Sequence, residues 1–347
     1  MEKKELLKEE IKHIQMFQPG MSTAACNIVD AFKDMSFQAR NLHRGADIYT
    51  KMLKDENCSV WLTQAGSYYA AGCKEIVVDM IEHNMLDVIV STGALIVDMD
   101  FFEALGFKHY KGTSYGNNDM ELASLHVDRI YDTYIDEDDL RVCDETIQKI
   151  CDSLESRPYT SREFIWEMGK YLVESGSQVR SVVKAAYEHN VPIFCPAFSD
   201  CSAGFGFLTH QTQRQKEGKP YITIDSAGDF KELTEIKVNS KETGLLMVGG
   251  GVSKNFAQDT VVGADILGVE AKLHKYAVQI TVADERDGSC SSSTLKEAQS
   301  WGKVDDAYEQ MVFAEATIAF PLMVGYAFTK LGFLKREAGN KTLLFKK

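Results

Sequence analysis

Toward the carboxyl end of the chain, Ser300-Trp301-Gly302-Lys303 sets a lysine beside an indole and a glycine. An ε-amine held against an aromatic wall is partly desolvated, which disfavours the ammonium. The neutral amine is the species that attacks a carbonyl or imine to form a covalent nitrogen-linked intermediate. Lys303 is on that ground a candidate nucleophile. The competing reading is a solvated surface charge, and with 38 Lys and Arg in the chain a Trp-Gly-Lys tripeptide can arise by accident. Spacing alone does not separate the two, so other residues must converge on the same chemistry.

Several turns do. Leu246-Met247-Val248-Gly249-Gly250-Gly251-Val252-Ser253-Lys254-Asn255 reads as a strand entering three glycines and then a helix. Such a turn bares backbone N–H groups at a helix N-terminus, which suits a phosphate or dinucleotide, or serves as a tight turn with no ligand. Gly66-Ser67 and Ser91-Thr92-Gly93-Ala94 follow two more apolar runs. Pro196 to Ser202 follows a fourth and brings the carboxylate of Asp200, which could instead cap a helix. Asp284 to Ser293 is a polar Gly/Ser-containing run ahead of a short helix expected from Thr294, and Glu297 lies six residues before Lys303. Gly112-Thr113-Ser114-Tyr115-Gly116 matches GxSxG, but no apolar strand precedes it, so it is not read as a nucleophile elbow. The histidines lack metal-ligand spacing and Cys195 and Cys201 read as core thiols, so no metal is expected.

The elements that must position these residues follow from hydrophobic periodicity. Runs at 58–62, 87–91, 191–195, 221–224, 245–248 and 277–280 read as strands. Helical spacing recurs at 70–84, 97–105, 139–154, 160–175, 178–189, 228–240 and 253–262. This alternation predicts an α/β fold: one large, doubly wound, mostly parallel sheet with helices on both faces, Rossmann-like. No Pro- or Ser-rich linker divides the chain, and residues 112–139 read as a long polar connection. Residues 3–16 carry Leu6, Leu7, Ile11, Ile14 and Met16 among charges, which predicts a docking helix. A net charge of −13 argues against a phosphate-backbone binder and fits cationic ligands, so no nucleic-acid partner is expected and amines enter as substrates. The start lacks a signal-peptide core, no run is long enough to span a membrane, and eight cysteines form no CxxC pair; a cytoplasmic setting is expected.

These residues carry a resemblance. Gly249-Gly250-Gly251 with Lys254, the Ser300-Trp301-Gly302-Lys303 block, Ala314 to Leu322, and His83-Asn84-Met85-Leu86-Asp87-Val88 together resemble deoxyhypusine synthases, over about Gly20 to Phe328. The resemblance implies a helical extension over 1–19, an NAD-binding catalytic domain over 20–330 and a tail over 331–347. It further implies an NAD-dependent transferase: spermidine is oxidised to an imine, diaminopropane leaves, and the butylimine is held on a lysine whose place Lys303 occupies. The imine is then passed to an acceptor amine and reduced. By the same resemblance, NAD contacts fall on Gly66, Ser67, Tyr68, Tyr69, Ala70, Thr92, Gly93, Ala94, Asp98, Asp200, Gly250, Val282, Ala283, Glu315 and Ala316. The amine pocket falls on Gly288, Ser289, Glu297 and Trp301. A homotetramer with sites between subunits is implied, with the N-terminal helix lying over a neighbouring site.

The departures from the family pattern concern the substrate. Phe205 and Cys290 stand where the family places aspartates for the polyamine, Asn255 replaces a pocket histidine, Asp98 stands for a glutamate, and Val97 replaces the glutamate beside it. Each lost carboxylate removes about 1 to 4 kcal/mol of attraction for a nearby ammonium. A small polyamine acceptor, as in homospermidine synthesis, is therefore expected ahead of a protein lysine. Other readings stay open: a true deoxyhypusine synthase acting on a translation-factor lysine, a non-catalytic NAD-binding protein, or an ordinary dehydrogenase.

Overall fold

The computed structural model describes residues 2–116, 118–286 and 293–336. Six parallel strands form the central sheet: β1 (Cys58–Gln64), β2 (Val88–Val90), β3 (Ile193–Phe194), β4 (Glu242–Val248), β5 (His274–Thr281) and β6 (Val304–Phe313). Their order across the sheet is β6-β5-β4-β1-β2-β3. The chain thus winds outward from β1 to β3, returns to the other side of β1, and winds outward again. The reversal falls between β1 and β4, where Leu62 pairs with Leu246, and a crevice opens at the carboxyl ends of strands flanking such a reversal.

Alternation along the strands divides the core. Val60, Leu62, Leu246, Val278 and Ile280 pack on one face, beneath helices Pro19–Ala31, Phe37–Lys54 and Ala316–Lys330. Trp61, Leu245, Met247 and Ala277 pack on the other, beneath Ser226–Asn239, Gly251–Gln258 and Leu295–Ser300. Both faces are covered, which explains why the strands read as continuous apolar runs. Each fully buried large apolar side chain contributes about 1.5–3 kcal/mol.

Several expectations need correction. Residues 3–16 do not form a docking helix; only Lys3–Leu6 is helical, and the rest runs as an extended strap. The cause is an open strand edge at His109–Lys111: Lys111 N–H donates to Glu9 O at 2.7 Å, and Ile11 N–H to His109 O at 2.8 Å. Ile14 N–H donates to Gly72 O, and Gly72, at φ 98°, leaves room where a Cβ would stand 2.8 Å from Lys12 O. Residues 112–139 carry structure of their own, including the antiparallel pairing of Thr133–Asp136 with His109–Lys111 and with Val127–Ile130. The run at 221–224 does not join the main sheet; Thr223–Ile224 pairs with Pro158–Tyr159. The helix expected over 253–262 divides at Asp259 into Gly251–Gln258 and Thr260–Ile266.

Beneath the strap lies a buried ion cluster. Glu103 receives Lys74 Nζ at 2.5 Å and lies 2.8 Å from His13 Nε2 and 2.7 Å from His109 Nδ1. Burial opposes its ionisation, yet the hydrogen bonds from His109 and His13 and the Lys74 charge outweigh burial and hold Glu103 well below the usual carboxylate range. Its contribution to stability is therefore present above the unfolded carboxylate value of 4.5 and is lost as pH falls through the depressed folded value. Glu103→Gln leaves Lys74 buried without its counter-charge and is expected to cost about 3–5 kcal/mol in guanidinium unfolding at pH 7. A loss below about 1 kcal/mol contradicts this account.

Candidate active site

The carboxyl ends of the six strands carry one half of the candidate residues. Gly66 and Ser67 follow β1; Thr92, Gly93 and Ala94 follow β2; Asp200 follows β3; Gly250 follows β4; Val282 and Ala283 follow β5; Glu315 and Ala316 follow β6. The dinucleotide set expected from the resemblance therefore lies along one sheet edge. Ser67, Ala94, Asp98, Ser202 and Phe205 line a cleft of about 550 Å³ there.

The hydroxyl and backbone groups along this edge suit a polar ligand such as a dinucleotide, with the cleft's carboxylates, Asp98, Asp128, Glu137 and Asp144 beside Arg141, suited to its hydroxyls rather than its phosphates. Thr92 Oγ1 is buried and has no hydrogen-bond partner among the described residues, which leaves a hydroxyl for a ligand. Gly66 has a φ of 92°, with nothing within 4 Å of a Cβ, so its backbone is open to close approach. Gly93 is required for packing, since a Cβ there would stand 2.4 Å from Cys201 Sγ. Tyr68 and Tyr69 are different: both are buried, and their hydroxyls donate to Gln64 Oε1 at 2.5 and 3.0 Å, so only their backbone is positioned for a ligand.

Asp200 does not cap the following helix, Ser202–Lys216; Asp98 does, accepting Ser202 N–H at 2.8 Å. Burial pushes Asp98 up to about 6 against that hydrogen bond. The folded chain thus holds a proton that the unfolded chain releases, and the associated stability is complete below 3.8 and lost as pH rises through about 6. Asp98→Asn keeps an oxygen for Ser202 and removes the titration. The difference in unfolding free energy between pH 4 and pH 8 is expected to change by about 1–3 kcal/mol relative to the parent, in the direction of greater stability at pH 8. An unchanged difference would contradict the assignment.

Lys303 lies elsewhere, at the amino end of β6. Helix Leu295–Ser300 begins with a capping box in which Glu297 N–H donates to Thr294 Oγ1 at 3.1 Å and Thr294 N–H to Glu297 Oε2 at 2.6 Å. It ends at Gly302, whose φ of 65° lets Gly302 and Lys303 N–H groups return to Gln299 and Ala298 carbonyls. Ser-Trp-Gly-Lys is thus a helix stop that delivers Lys303 into a strand. Glu297, expected in the amine pocket, has one carboxylate oxygen committed to this cap.

Lys303 is 7% exposed, although not for the reason its neighbour suggests: Trp301 is 68% exposed, with Lys303 Nζ 5.5 Å from its ring centre. The residues that engage the amine come from the helix after the triple glycine. Lys303 Nζ lies 2.6 Å from Asp259 Oδ1 and donates to Asn255 Oδ1 at 3.1 Å, while Asn255 Nδ2 donates to Asp259 Oδ2 at 2.7 Å. Residues 255 and 259 share a helix face by their i, i+4 spacing. Lys254, fully buried, donates to Ser293 O. Phe230, Asn255, Asp259, Ser293, Trp301 and Lys303 line a cleft of about 570 Å³. Sequence reasoning missed Asp259, and its spacing from Asn255 was the available signal.

Within one chain the two halves meet through a single helix, Gly251–Gln258: Gly250 at its start belongs to the dinucleotide set, and Asn255 along it holds Lys303. Lys303 precedes a ten-residue strand whose far end leads to Glu315, a separation of roughly 30 Å. Phe205, expected at the amine, sits instead in the cleft with Asp98. Gly288, Ser289 and Cys290 lie outside the described residues.

Comparison with known proteins agrees with this architecture. The family described as "DS: Deoxyhypusine synthase" matches residues 27–327. The "Deoxyhypusine synthase-like protein" of Chlorobaculum tepidum is 58% identical over 341 residues, covering 98% of this chain and 95% of that protein. The protein of the same description from Elusimicrobium minutum is 57% identical over 333 residues, covering 96% and 87%. A crystal structure of a protein assigned as a deoxyhypusine synthase from Entamoeba histolytica shares the fold, with a TM-score of 0.61 at 22% identity over 95% of this chain and 100% of that one. The chain belongs to the deoxyhypusine synthase family.

Proposed function

We propose that the protein is an NAD-dependent transferase that moves an aminobutyl or related alkylamine group through an imine on Lys303 to a small polyamine acceptor, as in homospermidine synthesis. The observation that carries this reading is the nearly buried Lys303 amine, held by Asp259 and Asn255 in a cleft of about 570 Å³. NAD, when bound, supplies the uptake and return of a hydride. Thr92, Gly93, Ala94, Asp98 and Gly250 would hold it, with Asp200, Val282, Ala283, Glu315 and Ala316 farther along the same edge.

Asp259 Oδ1 takes a proton from Lys303, whose nitrogen then attacks the carbon of the donor's imine. Collapse of the resulting aminal breaks the bond to the departing amine, which leaves with a proton returned by Asp259. Lys303 is left joined through C=N. The acceptor amine repeats the same exchange in reverse and frees Lys303. Asn255, donating to Asp259 Oδ2, keeps the carboxylate turned toward the lysine.

Assembly as a homotetramer would bring the carboxyl edge of one subunit to the Lys303 cleft of another. The exposed Trp301 and Ile266 on the cleft rim support this. Incubation with NAD and a panel of polyamines, with mass spectrometry of all products, is expected to yield an extended polyamine. Transfer only to a translation-factor lysine would replace the small-acceptor reading with that of a true deoxyhypusine synthase. Steady accumulation of free NADH without transfer would make it a dehydrogenase.

A further inference from the structure

A second polar cleft, of about 490 Å³, opens at the amino end of the sheet and is lined by Lys237, Lys241, Lys272 and Lys275 with the carboxylates Glu242 and Glu270. Four lysines gather here in a chain whose net charge is −13. Two are matched: Lys272 lies 2.5 Å from Glu242 and Lys275 lies 2.7 Å from Asp55. Lys237 is not. It is 2% exposed, forms no ion pair among the described residues, and donates only to neutral oxygens, Thr243 Oγ1 at 2.5 Å and Leu273 O at 3.4 Å. Burial pushes Lys237 down to about 8 against the charge of Glu242, a carboxylate that Lys272 already engages.

The same ammonium begins a buried chain that ends at backbone carbonyls beside the Lys303 cleft, those of Ala257 and Lys303. Thr243 Oγ1 lies 2.9 Å from His274 Nδ1, and His274 Nε2 lies 3.2 Å from Ala257 O. Burial, followed by the Lys237 charge, pushes His274 well below the usual imidazole range, so the ring is neutral. With the Nε2 proton donated to Ala257 O, Nδ1 accepts from Thr243, whose oxygen in turn accepts from Lys237. Ala257 lies between Asn255 and Asp259 on their helix, and His274 N–H donates to Lys303 O at 3.0 Å. A change at Lys237 therefore reaches the backbone on both sides of the Lys303–Asp259 pair.

We infer that this cleft binds a small oxyanion, a phosphoryl or carboxylate group, which adds negative charge to a lysine cluster that Glu242 only partly balances and is coupled to the Lys303 cleft through Lys237, Thr243 and His274. The site stands on its own geometry; only the coupling rests on the amine reading above. Calorimetric titration of the full-length assembly with inorganic phosphate and with malonate, against chloride at matched ionic strength, tests it. Saturable binding is expected, with the two probes telling phosphoryl from carboxylate, and Lys237→Met is expected to weaken it about tenfold or more. Should Lys237→Met fail to fold, the rim variant Lys241→Gln/Lys272→Gln is expected to weaken binding in the same direction. Binding of neither probe, or binding indifferent to these substitutions, overturns the site. Bound phosphate is expected to change spermidine affinity about fivefold or more in the parent and not in Thr243→Val. Equal responses in both proteins overturn the coupling and leave the site standing.

Discussion

Lys303→Ala is expected to lower kcat/KM for amine transfer by about 10⁴-fold or more while leaving NAD affinity within about twofold of the parent. The first figure follows from removing the atom that carries the group, since loss of a covalent nucleophile leaves only binding and orientation. The second follows from placement: Lys303 opens β6, whereas the residues assigned to NAD close the strands at the other edge. The alanine variant removes the buried Lys303 side chain and leaves its partner Asp259, whose side chain is about a third exposed, to water, so its fold is expected to survive. Steady-state assays with product mass spectrometry, and calorimetry with NAD, separate the two effects. Activity retained within tenfold would show that the group is not carried on this lysine.

The second large effect belongs to Asp259, which has no counterpart among the residues carried over from the family. Asp259→Asn keeps the size of the side chain and an oxygen toward Lys303 but cannot accept its proton. Loss of a positioned proton acceptor costs about 10²–10⁴-fold, and the fall is expected in kcat more than in KM. Asp259→Ala should lower kcat similarly and also raise KM, because the carboxylate facing the amine is gone. If Asp259→Asn instead stays within about fivefold of the parent in kcat, the carboxylate is a structural partner of Lys303 and not its proton acceptor.

The sheet was legible where burial made it so. Strands β1 to β5 are covered on both faces and appear as apolar runs, although short β3 could be placed only because Val191 to Cys195 is almost wholly apolar. Strand β6 was not read at all. It is an edge strand whose Asp305, Asp306, Glu309 and Gln310 interrupt the apolar pattern, and its partner relation to β5 lies outside local sequence. The N-terminal strap failed for a related reason: its apolar spacing fits a helix, but the open edge at His109–Lys111 captured its backbone.

In the site, glycine turns at strand ends could be placed at the carboxyl edge of the sheet from sequence alone, and the structure sets them there. Periodicity could not reveal that Lys303 opens its strand, which depends on the helix stop at Gly302. Nor could it reveal that Asp259, at a break between two helices, meets Lys303. The desolvating indole was a misleading cue, since Trp301 is exposed and the burial of Lys303 comes from the elements around it.

The most direct test of the central claim is borohydride trapping with NAD and each candidate amine, followed by peptide mapping. An alkylamine adduct on the peptide bearing Lys303, dependent on NAD and absent from Lys303→Ala, is the predicted result. No adduct on Lys303 with any amine, under conditions where NAD is bound, would contradict it.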